Sequence, residues 1–326
     1  MRKPINFVWF DDSPEREATA KSLAKAIKAE YRFVNVKDGD LDNIINKYLS
    51  ESVEPDLIIM DHFLDNTSSK TFRKGSTAAT FIHEVFTECP IISVTAVDIK
   101  KDVDTRQKSA YEDMYPDNEI SAHYKTIESI ALGFRKLKRK RPESIDDIVK
   151  YFDCPEEDIE RFCKILPIEI KEKENLKDKS LLIEMNRWFR HTLIERPGFL
   201  YDRIWAATYL GLTPKGFDTV SEQFKNAQYK GVFADESNNR WWKSKLTELV
   251  VKKTGEIGLP WEIGRKLVND KKYYSKCYVS DEQYPETVAA EDETEGAQWH
   301  PMKLKYTEPH PSYEDLLFFE NLRIIK

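Results

Sequence analysis

The chain has 326 residues, 40% hydrophobic and 33% charged, with a formal net charge of −6. This length is a prior for about two domains, and the composition suits a globular chain with a highly charged surface. No apolar run approaches the ~20 residues of a membrane span, and Met1-Arg2-Lys3-Pro4 leads straight into a strand pattern, so no signal peptide is expected and a cytoplasmic protein is. Cys89, Cys154, Cys163 and Cys277 have no CxxC spacing and read as reduced thiols. Residues 1–141 hold 23 Lys+Arg and 23 Asp+Glu, so the remainder carries the whole excess of negative charge. That remainder lacks the basic footprint of a DNA-binding output, and DNA is not an expected partner.

The first 141 residues alternate strand and helix. Phe7-Val8-Trp9-Phe10 reads as a strand running into Asp11-Asp12. Ser13-Pro14-Glu15 is a helix start, with Ser as cap and Pro in the first turn, and Ala20, Leu23, Ala24 and Ile27 form its buried stripe. A second strand spans 31–36, and Leu41, Ile44, Ile45, Tyr48 and Leu49 follow helical spacing after it. Leu57 to Met60 are four apolar residues in a row, the mark of a strand buried on both faces, and they end on Asp61. A helix with Phe81, Ile82, Val85 and Phe86 follows Gly75, and Ile91-Ile92-Ser93-Val94 is a fourth strand ending on Thr95-Ala96. The succession predicts a doubly wound, five-stranded parallel sheet with helices on both faces. In such sheets sites form beyond the carboxyl ends of the strands, so Asp11, Asp12, Asp61 and Thr95 converge on one spot. Three acids and a hydroxyl suit a divalent cation and phosphoryl transfer.

The acidic pair after strand one, Asp61 at the end of strand three and Thr95-Ala96 after strand four resemble the response-regulator receiver domain, the CheY-like fold, over about the first 140 residues. The resemblance implies that Asp61 is a phosphoacceptor and that Mg²⁺ is held by Asp11, Asp12, Asp61 and the backbone carbonyl of Phe63. It also implies that Thr95 and the Ala96 backbone bind the phosphoryl group. Three features depart from the family. The loop from Asp65 to Lys74 is long and polar and lacks the usual proline, a composition expected of a mobile loop. Asp65 adds an acid, read as a loop residue. The family places a lysine at the end of strand five, and here two readings of that strand compete. If it is Ala110 to Tyr115, then Pro116-Asp117 follows and there is no lysine; if it is Ile120 to Tyr124, Lys125 takes the position. The first gives the more usual distance from Thr95. His62 is expected to point away from the site, because neighbours of a strand-end acid face the other way, and His83 and His123 read as ordinary helix or surface residues.

The basic run Arg135 to Arg141 reads as the solvated end of a terminal helix, where cations suit the helix dipole, and Pro142 marks the boundary. The expected domains are thus 1–141, receiver-like, and 142–326, mainly helical with a small β-rich C-terminal part. Helices are expected around Ile145 to Phe152 and Ile159 to Ile165. The acidic start of the second, Glu156-Glu157-Asp158, is wrong for a helix that meets DNA phosphates. Stripes at Leu182 to Leu193 and Leu200 to Leu210 suggest an antiparallel helix pair, Thr213-Pro214 caps another helix, and Trp241-Trp242 heads one more. Six of the seven tryptophans fall in this half and read mostly as core, with Trp242 or Trp299 as candidate partner anchors. Residues 273–279 look strand-like, Met302 to Tyr306 alternate, and Leu316 to Phe319 with Leu322, Ile324 and Ile325 are apolar, which suggests the small β-rich addition. No zinc spacing, phosphate loop or catalytic triad pattern is present.

The first expectation is a response-regulator-like signalling protein. A histidine kinase or kinase-like sensor phosphorylates Asp61, and residues 142–326 serve as a protein-interaction output that binds a protein partner, with a homodimer as one arrangement. Two alternatives remain. One is a degenerate receiver acting as a docking module or phosphate sink in a multi-protein bacterial system such as phage defence. The other is a receiver-regulated enzyme of unknown chemistry.

Overall fold

A computed structural model describes residues 3–37, 39–51, 54–64, 72, 74–172, 179–235, 238–281, 287–292, 298–309 and 322–325. The chain forms two compact units, one of residues 1–144 with 172–187 and one of residues 145–171 with 188–326. The expected boundary after Arg141 does not anticipate that 172–187 belongs with the first unit.

In the first unit the succession is β1 (Asn6–Asp11), α1 (Arg16–Ile27), β2 (Glu30–Asn35), α2 (Leu41–Glu51), β3 (Leu57–Asp61), α3 (Gly75–Val85), β4 (Ile91–Thr95), α4 (Ile99–Asp102), α5 (Thr105–Lys108), β5 (Asp113–Pro116) and α6 (Tyr124–Arg139). All pairings are parallel and the strand order is β2-β1-β3-β4-β5. The central strands β1, β3 and β4 are buried along almost their whole length, which is why they read as unbroken apolar runs. On one face Phe10, Ile58 and Met60 pack with Leu41, Ile45 and Tyr48 of α2 and Ala78, Ala79 and Ile82 of α3. On the other, α1 and α6 lie together. Strand five is Asp113–Pro116, paired with β4 so that Thr95 faces Pro116. Of the two sequence readings this is the first, shortened at its start because Ala110-Tyr111 still belongs to the turn after α5. Ile120–His123 form a 3₁₀ turn that leads into α6 rather than a strand.

The basic run at the end of α6 is solvated only in part: Lys136, Arg139 and Lys140 are exposed, and the other three cations are tied down. Arg135 is only 6% exposed; its guanidinium donates to Asp56 Oδ1 at 2.6 Å and to the carbonyls of Lys3 and Pro4, both at 2.7 Å. Lys138 pairs with Glu54 and Arg141 with Glu88. Glu54, Asp56 and Glu88 lie just before β3 and β4, so two cations of α6 and Arg141, just past its end, fasten this stretch to the amino edge of the sheet. The sequence hides this because the partner acids are 53 to 84 positions away.

The remaining helices are α7 (Ile145–Tyr151), α8 (Ile159–Ile165), α9 (Ile168–Lys171), α10 (Lys179–Trp188), α11 (Arg203–Tyr209), α12 (Pro214–Val220), α13 (Lys243–Thr254) and α14 (Pro260–Gly264). As far as Arg187, α10 belongs to the first unit, where Arg187 Nε donates to the buried Glu112 at 2.8 Å. The expected antiparallel pair is therefore not formed. The second stripe is instead a two-residue strand β6 (Leu200–Tyr201), paired with β7 (Trp241–Trp242), followed by α11. Between them Phe189–Ile194 is one stretch of π-helix.

The second unit packs around aromatic rings. Phe152 and Phe189 lie 4.0 Å apart between centroids, and Phe217 meets Trp241 edge-on at 5.0 Å. Trp242 is 2% exposed and edge-on to Phe199 and Tyr229, so it is a core residue and not an exposed anchor; Trp299 leans on Trp205. The expected cap of α12 is present, with Thr213 Oγ1 accepting from Gly216 N at 3.1 Å. Glu157 pairs with Lys245 and Asp158 accepts from Ser244, so these acids are engaged within the unit. A four-stranded sheet of β8 (Thr287–Asp292), β9 (Gln298–Lys303), β10 (Thr307–Pro309) and β11 (Leu322–Ile324) has the order β10-β11-β8-β9. Residues 273–279 do not form the expected strand. Lys271–Tyr273 make a 3₁₀ turn capped by Asp270, and Tyr274 contributes an isolated bridge to Leu212. The apolar stretch Leu316 to Phe319 and the acidic Glu293 to Glu295 lie outside the described residues. No helix among the described residues is long and apolar enough to cross a membrane.

Removing Arg135 strands Asp56 and two carbonyls. Arg135→Ala is expected to lower stability by about 3 kcal/mol in urea unfolding, against a change within about 0.5 kcal/mol for the exposed Arg139→Ala.

Candidate metal and phosphoryl site

Every strand-end residue singled out in the sequence lies at the carboxyl edge of the first unit's sheet. Asp11 ends β1, Asp12 follows it, Asp61 ends β3, and Thr95 ends β4. Because β1 and β3 are neighbours, one carboxylate oxygen from each of Asp11, Asp12 and Asp61 lies within 4.8 Å of the other two. Asp11 and Asp12 are buried.

The carboxylate of Asp11 is fixed from two sides. The fully buried Trp9 donates its indole N–H to Oδ2 at 3.0 Å, and the Ser13 amide donates to Oδ1 at 2.8 Å. Burial nevertheless raises its pKa. Asp61 is affected more strongly. Burial first, then the charge of Asp11, push its carboxyl up to about 7, against an opposing hydrogen bond from the Phe63 backbone and the attraction of Arg16. The Phe63 peptide thus lies beside Asp61. Thr95 is buried, its Oγ1 accepts from the Val97 amide at 3.5 Å, and Ala96 follows in an exposed turn.

Lys125 is not brought to the strand end. It is the second residue of α6, half exposed, and binds Glu128 at 3.0 Å. The position after β5 is held by Asp117, whose amide donates to the Thr95 carbonyl at 2.9 Å. Asp65 lies outside the described residues, as do residues 66–71 and 73 of the loop expected to be mobile. His62 is buried below Asp61, where its Nδ1 meets the Tyr111 hydroxyl at 3.2 Å. His83, on α3, is pushed down to about 4 by burial.

Four residues of the site were not marked by sequence reasoning. Trp9 and Ser13 orient Asp11, and Arg16 supplies positive charge next to Asp11 and Asp61. The fourth is Gly75, whose amide donates to the His62 carbonyl at 2.9 Å. A Cβ there would stand 2.0 Å from the Asp61 carbonyl oxygen, so α3 can begin against the end of β3 only with glycine. The signals were present in part: Arg16 lies five residues after Asp11, and Gly75 opens the helix that follows β3.

An arrangement of three oxygen donors, two of them buried and mutually repelling, fits a hard divalent cation such as Mg²⁺, which neutralises the repulsion and keeps several waters. Two outcomes are expected. In the metal-free protein the folded state holds the Asp61 proton up to about pH 7, whereas the unfolded chain loses it near 4. Stability therefore falls as pH rises through that window, and Asp61→Asn should be the more stable protein at pH 8, by on the order of 2 kcal/mol. The difference closes below pH 4, and thermal melts across pH check it. Gly75→Ala should displace the Asp61 backbone and cut Mg²⁺ affinity by about tenfold, as titration calorimetry would report.

No family model matches the chain, and no curated protein does. Solved structures do. NtrX from Brucella abortus in complex with ADP is matched at 15% identity over 42% of this chain and 29% of that one, with a TM-score of 0.34. The N-terminal domain of a response regulator/sensory box/GGDEF 3-domain protein from Carboxydothermus hydrogenoformans is matched at 18% identity over 41% of this chain and 96% of that domain, at 0.32. The receiver domain of the Saccharomyces cerevisiae response regulator Ssk1, crystallised with the histidine phosphotransfer protein Ypd1, is matched at 19% identity over 40% and 90%, at 0.30. The likeness spans less than a third of the NtrX chain. By its own sheet order and helices on both faces, the first unit has the doubly wound, CheY-like fold.

Proposed function

We propose that this protein is a response-regulator-like signalling protein whose first unit accepts a phosphoryl group on Asp61. The observation that supports it is the approach of Asp11, Asp12 and Asp61 within 4.8 Å at the carboxyl edge of a parallel sheet, with Thr95 at the end of the adjacent strand. The donor is a phosphohistidine on a histidine kinase or kinase-like sensor. An Asp61 oxygen bonds to phosphorus as the P–N bond breaks, and the departing imidazole nitrogen takes up a proton. The product is an acyl phosphate, and little other chemistry is asked of the protein. Asp11, Asp12, Asp61 and the Phe63 carbonyl hold Mg²⁺, which when bound neutralises phosphoryl oxygens and lowers the fraction of Asp61 that is protonated. The Thr95 hydroxyl and the Ala96 amide bind the phosphoryl oxygens. The added charge at the end of β3, beside Thr95, is then what the rest of the protein reads. The second unit, with its aromatic core and acidic balance, is the protein-interaction output.

A second reading is a docking module or phosphate sink. It is favoured by the end of β5, where Tyr115-Pro116-Asp117 offers no lysine. Intact mass after incubation with Mg²⁺ and acetyl phosphate separates the two. The expected result is a single phosphoryl adduct on the wild type, lost in Asp61→Ala and lost with Mg²⁺ affinity in Asp11→Ala. A folded wild type that binds Mg²⁺ but takes no phosphate from acetyl phosphate or a phosphohistidine donor would instead support the docking module.

A further inference from the structure

An acyl phosphate on Asp61 places about two negative charges among carboxylates that already repel one another. A divalent ion held by the three carboxylates would leave part of that charge uncovered, so a protein cation within reach would complete the site. Lys125 is engaged with Glu128 on its own helix. Arg16 is placed differently. It is the first residue of α1, joined to the end of β1 by the short turn that holds Asp11, with its amide donating to the Ser13 carbonyl at 3.0 Å. Its Nη2 meets Asp117 Oδ2 at 2.5 Å, and the Asp117 amide is bonded to the Thr95 carbonyl at 2.9 Å.

The strand order gives this bridge its meaning. β3 and β4 lie between β1 and β5, so a side chain that reaches from the loop after β1 to the loop after β5 spans the ends of the two strands that carry Asp61 and Thr95. The guanidinium is 18% exposed and Asp117 30%, so the pair is accessible from solvent without being freely hydrated. A guanidinium has five N–H donors, and Asp117 uses one at hydrogen-bond distance through Nη2. The positive charge is already registered at both Asp11 and Asp61.

We propose that Arg16 is the phosphoryl-binding cation of this site, reaching Asp61 from α1 in place of a cation on β5, with Asp117 as the positioning residue that holds it when no phosphate is present. This rests on the phosphoacceptor reading above. A dianionic phosphoryl group competes better than a carboxylate for a guanidinium, which matches its oxygens in a two-pronged geometry. Phosphorylation then draws Arg16 toward Asp61 and loosens its hold on Asp117, so the loop after β5 is released as Asp61 is charged.

The test measures two affinities by calorimetry: Mg²⁺ alone, and beryllofluoride, a phosphoryl mimic, at saturating Mg²⁺. Arg16→Ala should weaken beryllofluoride binding by about tenfold or more, since a hydrogen bond to a charged group contributes that much. It should tighten Mg²⁺, because a competing cation has been removed. A variant that is merely damaged would lose both. Arg16→Lys should recover part of the beryllofluoride affinity, and Asp117→Asn, which frees the guanidinium without removing it, should tighten beryllofluoride. If Arg16→Ala fails to fold by circular dichroism, the Asp117→Asn result decides. Wild-type protein that binds beryllofluoride, with Arg16→Ala binding it equally or Asp117→Asn binding it more weakly, overturns the role of Arg16 alone. A loss on Lys125→Ala that Arg16→Ala does not share does the same. Wild-type protein that binds Mg²⁺ but no beryllofluoride overturns the phosphoacceptor reading together with this inference.

Discussion

Three carboxylates within 4.8 Å of one another, two of them buried, repel in a medium that screens them poorly. Much of the first unit can be understood as the framework that tolerates this repulsion. β1 and β3 are adjacent, parallel and buried on both faces, so their ends cannot move apart without opening the core. Trp9 and the Ser13 amide hold Asp11 where it is, and Gly75 lets α3 begin directly against the Asp61 backbone. The cost appears as proton affinity, with Asp61 carrying its proton close to neutral pH. A site built this way is poised for a cation, and its acidity changes when one arrives.

Four cations elsewhere in the unit have remote acidic partners. Arg135, Lys138 and Arg141 fasten the carboxyl end of α6 to acids at the amino edge of the sheet, and Arg187 meets the buried Glu112. Such pairs give little net stability compared with an apolar packing, but removing one partner strands the other, so they fix which elements lie together. The even balance of charge in residues 1–141 is thus partly a set of long-range ion pairs. At the acidic site, the pairing of Arg16 with Asp117 keeps one cation at that edge, and Lys74 lies over the Phe63 ring.

The second unit follows a different rule. Its core is rich in tilted and edge-on rings, from Phe152 and Phe189 to Phe217 and Trp241, set among aliphatic residues and joined by short helices and a two-residue ladder. Aromatic density supplies area that such short elements could not otherwise bury. This explains why tryptophans that look available for a partner in the sequence, Trp242 above all, are core residues instead.

The amino-acid sequence by itself determined the parallel sheet, its first four strands and the placement of Asp11, Asp12, Asp61 and Thr95 at strand ends. Each of these follows from local pattern: apolar runs, alternation of strand and helix, and the rule that neighbouring strand ends share an edge. It did not determine the end of strand five, because Asp113–Pro116 is only four residues long and half-buried, a weak pattern beside the apolar stripe that follows. Nor could it reveal that the basic run at the end of α6 is tied to the sheet, that 172–187 belongs to the first unit, or that Arg16 meets Asp117 across 101 positions. These are contacts between side chains remote in sequence. Charge and hydropathy patterns record which groups a segment carries, and only the tertiary structure decides which of them meet.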